Sequence, residues 1–286
     1  IASRRMRDSD ATSDPAQTAA DGDIVAGGHM IHYEKYGSSG PVIVMVHGYM
    51  VTGRMFDPII DELSQEFQLI VVDNRGFGGS KELDGPYTIE QMAADVIHVI
   101  DHEGHDKVHL LGYSKGGTVT QLVAKLHPER LKSLTLTVTF AYKALSSLER
   151  MQRQFLPTLV KRVGAKGVSR LMFDGLVGGL NLSLKDFRLV KRMVASNRDD
   201  VLIHVGMDLF KFDSRDWLKE ITTPTQIIGG MQDIIVPVHH QRLLAGTIPN
   251  ASLKLYSDAG HGLILSHREL YAERIRIRTI FREHRL

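Results

Sequence analysis

A serine held between glycines closes the short apolar run Leu110-Leu111-Gly112-Tyr113-Ser114-Lys115-Gly116-Gly117, and a helix-like pattern starts directly behind it. A serine hydroxyl is a weak nucleophile at neutral pH, so it must stand clear of the backbone, within reach of a base and beside free N–H donors. A sharp strand-to-helix turn meets all three needs, and Gly112 and Gly116 are small enough to let the chain pass through it. In a chain with 26 glycines the same pattern also fits a tight turn with a solvated serine. The rest of the chain must therefore supply a base and a carboxylate to orient it. Two later stretches hold such groups. Gly229-Gly230-Met231-Gln232-Asp233-Ile234-Ile235-Val236-Pro237 carries an aspartate just beyond a buried-strand pattern, and Asp258-Ala259-Gly260-His261-Gly262 carries a histidine after the next one. Asp258 lies three residues from His261, poor geometry for a carboxylate that must meet the far ring nitrogen, and it reads as a brace for the turn. His98 and His102 have the i,i+4 spacing of two metal ligands, with His105 and His109 close by, but a solvated helix face followed by a polar loop explains them as well. Serine chemistry needs no metal, and none is expected.

These groups need elements that bring them together. Asp23 to Tyr36 alternates around Gly27-Gly28, a hairpin signal, and Pro41 to Val46 is the continuous apolar run of a parallel strand buried on both faces. That strand delivers His47-Gly48-Tyr49-Met50. Helical spacing through Phe56, Ile59, Ile60 and Leu63 precedes a strand at Gln68 to Val72, and a helix capped by Thr88 leads into the strand Lys107 to Gly112. After the helix behind Ser114, His127-Pro128 stops the pattern before a strand at Leu134 to Phe140. Residues 141–218 then show helical patterns and no buried strand, and the alternation resumes at Gln226 to Gly229, Val238 to Ala245, Leu253 to Tyr256 and a closing helix from Leu263. Such a succession predicts an α/β fold, a mostly parallel sheet with helices on both faces. Residues 1–22 carry no periodicity and read as a flexible leader.

The glycine–serine turn, with its neighbours, resembles the α/β-hydrolase family. Five motifs occur in the family's order over about residues 24 to 280: an oxyanion turn at His47-Gly48-Tyr49-Met50, a D-x-R-G-x-G-x-S element at Asp73 to Ser80, the elbow at Ser114, an acid turn at Asp233 and a histidine loop at His261. The resemblance implies an eight-stranded, mostly parallel sheet with an inserted helical cap at 141–218 on a core of 23–140 and 219–286. It implies Ser114 as nucleophile, Asp233 as acid and His261 as base. The acid position used by some relatives after the earlier strand falls at Thr139-Phe140-Ala141, which offers no carboxylate. The oxyanion hole would be the backbone N–H groups of Tyr49 and Lys115, with His47 a structural brace. The expected reaction is carboxylic ester hydrolysis through an acyl-enzyme. Carbon–carbon bond or lactone hydrolysis shares the triad, and some members of the fold act as small-molecule receptors with little turnover. A serine rather than an aspartate at the elbow speaks against epoxide hydrolases and haloalkane dehalogenases, and His-Gly-Tyr-Met departs from the His-Gly-aromatic-Pro turn of perhydrolase-like relatives.

Composition narrows the partners. With 35 Lys+Arg against 33 Asp+Glu, overall charge gives no reason to expect nucleic acid. The absence of cysteine removes disulfides, thiolate zinc sites and thiol nucleophiles. Asp73 to Ser80 lacks the Gly-Lys-Ser ending of a phosphate loop and reads as a structural turn with Arg75 on backbone carbonyls, so no cofactor is expected. No run approaches the ~18 apolar residues of a spanning helix, which predicts a soluble protein, cytoplasmic by default. The start at Ile1 leaves a removed signal peptide open, and oligomeric state is undetermined. Between Lys143 and Arg192 eleven Lys+Arg face three Asp+Glu, an excess of eight interleaved with Phe155, Leu159, Met172 and Phe173. This stretch reads either as a solvated cap whose apolar stripe packs on the core or as a basic amphipathic lid for anionic or lipid-like substrates. Gly175, Gly178 and Gly179 would make it mobile. Lys115 reads as a surface lysine, or as a cation attracting a carboxylate-bearing substrate.

Overall fold

The computed structural model describes residues 20–26, 29–82, 85–143, 158, 161–164, 167 and 183–283. Its frame is an eight-stranded sheet in the order β1-β2-β4-β3-β5-β6-β7-β8. β1 (Ala20–Ala26) and β2 (His29–Tyr36) form the antiparallel hairpin at one edge, and β2 pairs antiparallel with β4 (Gln68–Val72). β1 begins at Ala20, inside the stretch read as a leader, while residues 1–19 and the Gly27-Gly28 turn lie outside the described residues. All other pairings are parallel, through β3 (Val42–Val46), β5 (Val108–Tyr113), β6 (Leu131–Thr137), β7 (Thr225–Gly230) and β8 (Ala251–Tyr256).

Every residue of β3 and β5 is buried, which is why β3 reads as an unbroken apolar run and β5 as one interrupted only by His109, rather than as alternating segments. Helices supply the cover. α1 (Asp57–Leu63) packs on the C-terminal α8 (Arg268–Glu283), while α2 (Ile89–His102) packs on α3 (Lys115–Leu126). Thr88 caps α2 as its sequence predicts, its side chain accepting the Gln91 N–H. α6 (His239–Thr247) and the short α7 (Leu263–Ser266) complete the carboxyl half.

Between β6 and β7 the described residues hold α4 (Leu184–Ala195) and α5 (Asp199–Leu209). The excursion leaves and returns at one place: Tyr142 bridges Asp213, Ser214 N–H donates to the Ala141 carbonyl at 2.7 Å, and the Ser214 hydroxyl reaches Gln121 Oε1 on α3. The apolar residues and glycines singled out between 155 and 179 lie outside the described residues. Among the described residues no helix is long and apolar enough to cross a membrane.

Candidate active site

β5 ends at Tyr113, and Ser114 takes φ 51°, ψ −118°, a conformation that costs a non-glycine residue about 1–3 kcal/mol and persists only where its surroundings hold it. They do. Ser114 N–H donates to the Thr137 carbonyl at 2.8 Å, and its own carbonyl accepts from Thr139 Oγ1 at 2.6 Å and from Gly117 N–H at 2.9 Å. The glycines allow β3, β5 and α3 to close on the turn: a Cβ on Gly116 would stand 2.1 Å from the Val46 carbonyl oxygen, and one on Gly112 2.2 Å from Thr120 Oγ1.

The Asp233 turn and the His261 loop meet this serine from the ends of β7 and β8, beyond the intervening β6. Asp233 is buried, and its Oδ1 accepts the Ile235 and Val236 N–H groups at 2.9 and 2.8 Å. Those two bonds aim Oδ2 at His261 Nδ1, 2.8 Å away, and His261 Nε2 lies 3.0 Å from Ser114 Oγ. Because a carboxylate only accepts, Nδ1 carries the proton and Nε2 presents its lone pair to the serine hydroxyl. Asp258 faces elsewhere, 3.3 Å from His267 Nε2, as a brace would.

Two residues that sequence reasoning did not single out complete this arrangement. Tyr113 donates its hydroxyl to the His261 carbonyl at 2.6 Å and meets the imidazole edge-on, so the residue before Ser114 holds the His261 ring in place. Gly230 lets the acid turn touch the histidine loop, since a Cβ there would stand 2.2 Å from the Ala259 carbonyl oxygen. The signal for Tyr113 was only its adjacency to Ser114, and Gly230 had none beyond being one of two glycines before the aspartate.

On the other side of the serine, β3 delivers the loop His47 to Met50. A Cβ on Gly48 would lie 3.4 Å from Ser114 Cβ, so the loop carrying Tyr49 rests against Ser114. Lys115 N–H is the first of α3 and has no acceptor within the helix. His47 is fully buried, with Nδ1 donating to the Gly48 carbonyl at 2.7 Å and Nε2 accepting the Asn74 N–H at 3.0 Å. Burial, helped by the neighbouring Lys115 charge, pushes its pKa down to about 3, so the ring stays neutral and acts as a brace. Asp73 ties the same region together, accepting from Gly53 N–H and Gly79 N–H at 2.7 Å each. From the segment joining α4 to α5, Asn197 Nδ2 donates to the Met50 carbonyl at 2.8 Å, and Tyr49 donates its hydroxyl to the Leu202 carbonyl.

Two expectations are corrected here. Arg75 rests mainly on a carboxylate rather than on backbone carbonyls: its Nε and a terminal nitrogen each meet Asp95 of α2 at 2.6 Å, and only a 3.3 Å bond goes to the Pro86 carbonyl. Lys115 is neither a surface lysine nor a cation in the pocket. It is 1 % exposed, with Nζ against the Met92 sulfur and 5.5 Å from the Phe77 ring centroid. Burial lowers its pKa to about 7, opposed by the more distant Asp208 and Asp95 charges. Between that value and the unfolded value of about 10.4, the unfolded chain holds one proton more than the folded one, so stability rises with pH in this window. Lys115→Met is expected to remove a slope of up to about 1.4 kcal/mol per pH unit. Urea unfolding of both proteins at pH 7.5, 8.5 and 9.5 checks this, and parallel slopes would refute it.

Ser114 and His261 open into a pocket whose walls are Met50 and Met55 from the stretch after β3, Val190, Met193 and Val194 from one face of α4, and Ile264 from α7. Of the other histidines, His98 and His102 are exposed on α2, and His109 is buried in β5 with Nδ1 2.7 Å from Ser133 Oγ. The described residues contain no cluster able to hold a metal ion.

The profile of the α/β hydrolase fold family matches residues 41–268. A pimeloyl-[acyl-carrier protein] methyl ester esterase of Pseudoalteromonas atlantica is 29% identical over 241 residues, 81% of this chain and 91% of that protein. A poly(3-hydroxyalkanoate) depolymerase of Ectopseudomonas oleovorans is 28% identical over 233 residues, 80% of this chain and 81% of that protein. Among solved structures, a thermophilic esterase of Thermogutta terrifontis with malate bound superposes with a TM-score of 0.81 at 27% identity, covering 92% of this chain and 99% of the other. The sheet order, the strained serine between β5 and α3 and this match agree, and the chain belongs to the α/β hydrolase fold family.

Proposed function

We propose that this protein is a serine hydrolase that cleaves a carboxylic ester in two steps. The observation that carries the reading is the relay of 3.0 Å from Ser114 Oγ to His261 Nε2 and 2.8 Å from His261 Nδ1 to Asp233 Oδ2. His261 takes the hydroxyl proton as Ser114 Oγ bonds to the carbonyl carbon, and the new oxyanion is held by the Tyr49 and Lys115 backbone N–H groups. The tetrahedral adduct then expels the alcohol, which leaves with the proton from His261. Water, deprotonated by the same imidazole, attacks the acyl-serine, and collapse releases the acid with Ser114 restored. Asp233 stays ionised throughout and stabilises the imidazolium. An ester is favoured by the activities named for two relatives, a methyl ester esterase and a polyester depolymerase.

In this reading residues 141–218 form a cap on a core of 23–140 and 219–286, and α4 roofs the acyl site. Apart from Tyr49, Tyr113, Ser114 and His261, the pocket side chains are methionine and aliphatic, with no Asp, Glu, Lys or Arg among the described ones, which favours an uncharged, apolar acyl group. The test is covalent. A fluorophosphonate should add one adduct per chain, mapped to the peptide containing Ser114, while Ser114→Ala stays unlabelled; the native protein should turn over p-nitrophenyl butyrate many times. Labelling elsewhere would sink the assignment of the nucleophile, and one burst without turnover would make the protein a ligand receptor instead.

A further inference from the structure

We infer that the outer face of α4 docks this protein onto an anionic lipid surface. The helix is sharply two-sided. Val190, Met193 and Val194 face the pocket at Ser114, and Leu189 is buried beside them. The helix's one acid, Asp186, also turns inward, where it accepts from Ser183 Oγ and from Arg268 at 2.7 Å each. At 100° per residue this leaves an exposed arc on which Arg188 and Lys191 stand clear of any carboxylate of the helix, while Lys185 and Arg192, also exposed, lie at its edge along a groove shared with Asp57 and Asp61 of α1. The arc also holds Leu184 at 75 % and Phe187 at 38 % exposure.

Four cations on three turns of helix stand out in a chain whose net charge is only +2. Cations alone would suit any polyanion. Leu184 on the same arc selects a lipid surface, because an exposed apolar side chain can enter the headgroup boundary while the ammonium and guanidinium groups remain at the phosphates. A docked α4 holds the pocket about one helix diameter, roughly 10 Å, from the membrane. An apolar acyl ester leaving the bilayer would then meet Ser114 after a short path. That delivery step rests on the hydrolase reading, but docking itself does not.

Co-sedimentation with vesicles tests docking without turnover. Intact Ser114→Ala protein should sediment with phosphatidylcholine vesicles containing about a third phosphatidylglycerol, and not with phosphatidylcholine alone. Each basic residue near such a surface contributes about 1 kcal/mol, so Arg188→Gln/Lys191→Gln should lower partitioning by about 30-fold, and raising salt from 0.05 to 0.5 M should do likewise. Leu184→Ser should lower it several-fold even at low salt. Both substitutions placed on the Ser114 background of the native protein should leave p-nitrophenyl butyrate turnover unchanged, which shows that the variants fold. Absence of sedimentation, equal binding to neutral vesicles, or unchanged binding by the charge variant would overturn the proposal, including in favour of an acidic soluble partner.

Discussion

Ser114→Ala is expected to lower kcat on p-nitrophenyl butyrate by about 10⁶-fold, His261→Ala by about as much, and the double variant by no more than either alone. In the proposed mechanism the three side chains act as one unit, so removing the hydroxyl already wastes the base. Asp233→Asn is the more informative member of the series. The asparagine carbonyl can keep both bonds that Oδ1 now accepts from Ile235 and Val236, so the loop has no reason to move. What changes is the group facing His261 Nδ1, which becomes an NH2 donor and forces the imidazole proton onto Nε2. The ring would then point an N–H at Ser114 and could not accept the hydroxyl proton, a loss of about 10⁴-fold in kcat with little change in KM. Stopped-flow and steady-state kinetics on the four variants, with circular dichroism as the check on folding, measure this. An Asp233→Asn protein within tenfold of native would show that Oδ2 does not serve the base.

The ends of the site were legible because each sits where a local pattern changes. The apolar runs of β3, β5 and β7 stop at His47, Ser114 and the Asp233 turn, and glycines mark the places where the chain must bend. Burial without a strand was harder to read. The run Leu134 to Phe140 predicts a strand to its end, yet β6 stops at Thr137: Val138 adopts φ 42° as its N–H makes a last bond to the Ile228 carbonyl of β7 at 2.8 Å, and Phe140 is buried beyond the ladder. Hydrophobicity reports exclusion from water, not hydrogen bonding, and cannot separate the two. Lys115 failed for the opposite reason, since its type predicts solvent but Met92 of α2 and Phe77 of a distant loop enclose it. The carboxylate partner of Arg75 lies twenty residues on, across a turn and a helix, where no spacing rule reaches.

That last contact carries the largest expected cost in stability. Arg75 and Asp95 are both buried, with side chains 0% and 2% exposed and two bonds of 2.6 Å between them. The pair joins the loop after β4 to α2, and the residue before Arg75 is Asn74, whose N–H holds His47 Nε2. Removing one partner leaves the other charge desolvated and uncompensated, which typically costs 3–5 kcal/mol, whereas the intact pair gains little over apolar side chains of similar volume. Arg75→Ala should therefore lose roughly 3–5 kcal/mol in urea unfolding at pH 7, and Asp95→Ala a comparable amount. Arg75→Met/Asp95→Leu should recover most of that loss, because no charge is stranded. Activity should not follow stability in the same way. In the apolar double variant the loop loses the fork that fixes Arg75 to α2, so His47 and the Tyr49 N–H behind it gain freedom, and kcat should stay well below native even where the fold is restored. A single variant within about 1 kcal/mol of native would mean that water reaches the stranded charge, and a double variant with full kcat would mean that Asn74 and Asp73 hold the His47–Met50 loop without help from Arg75.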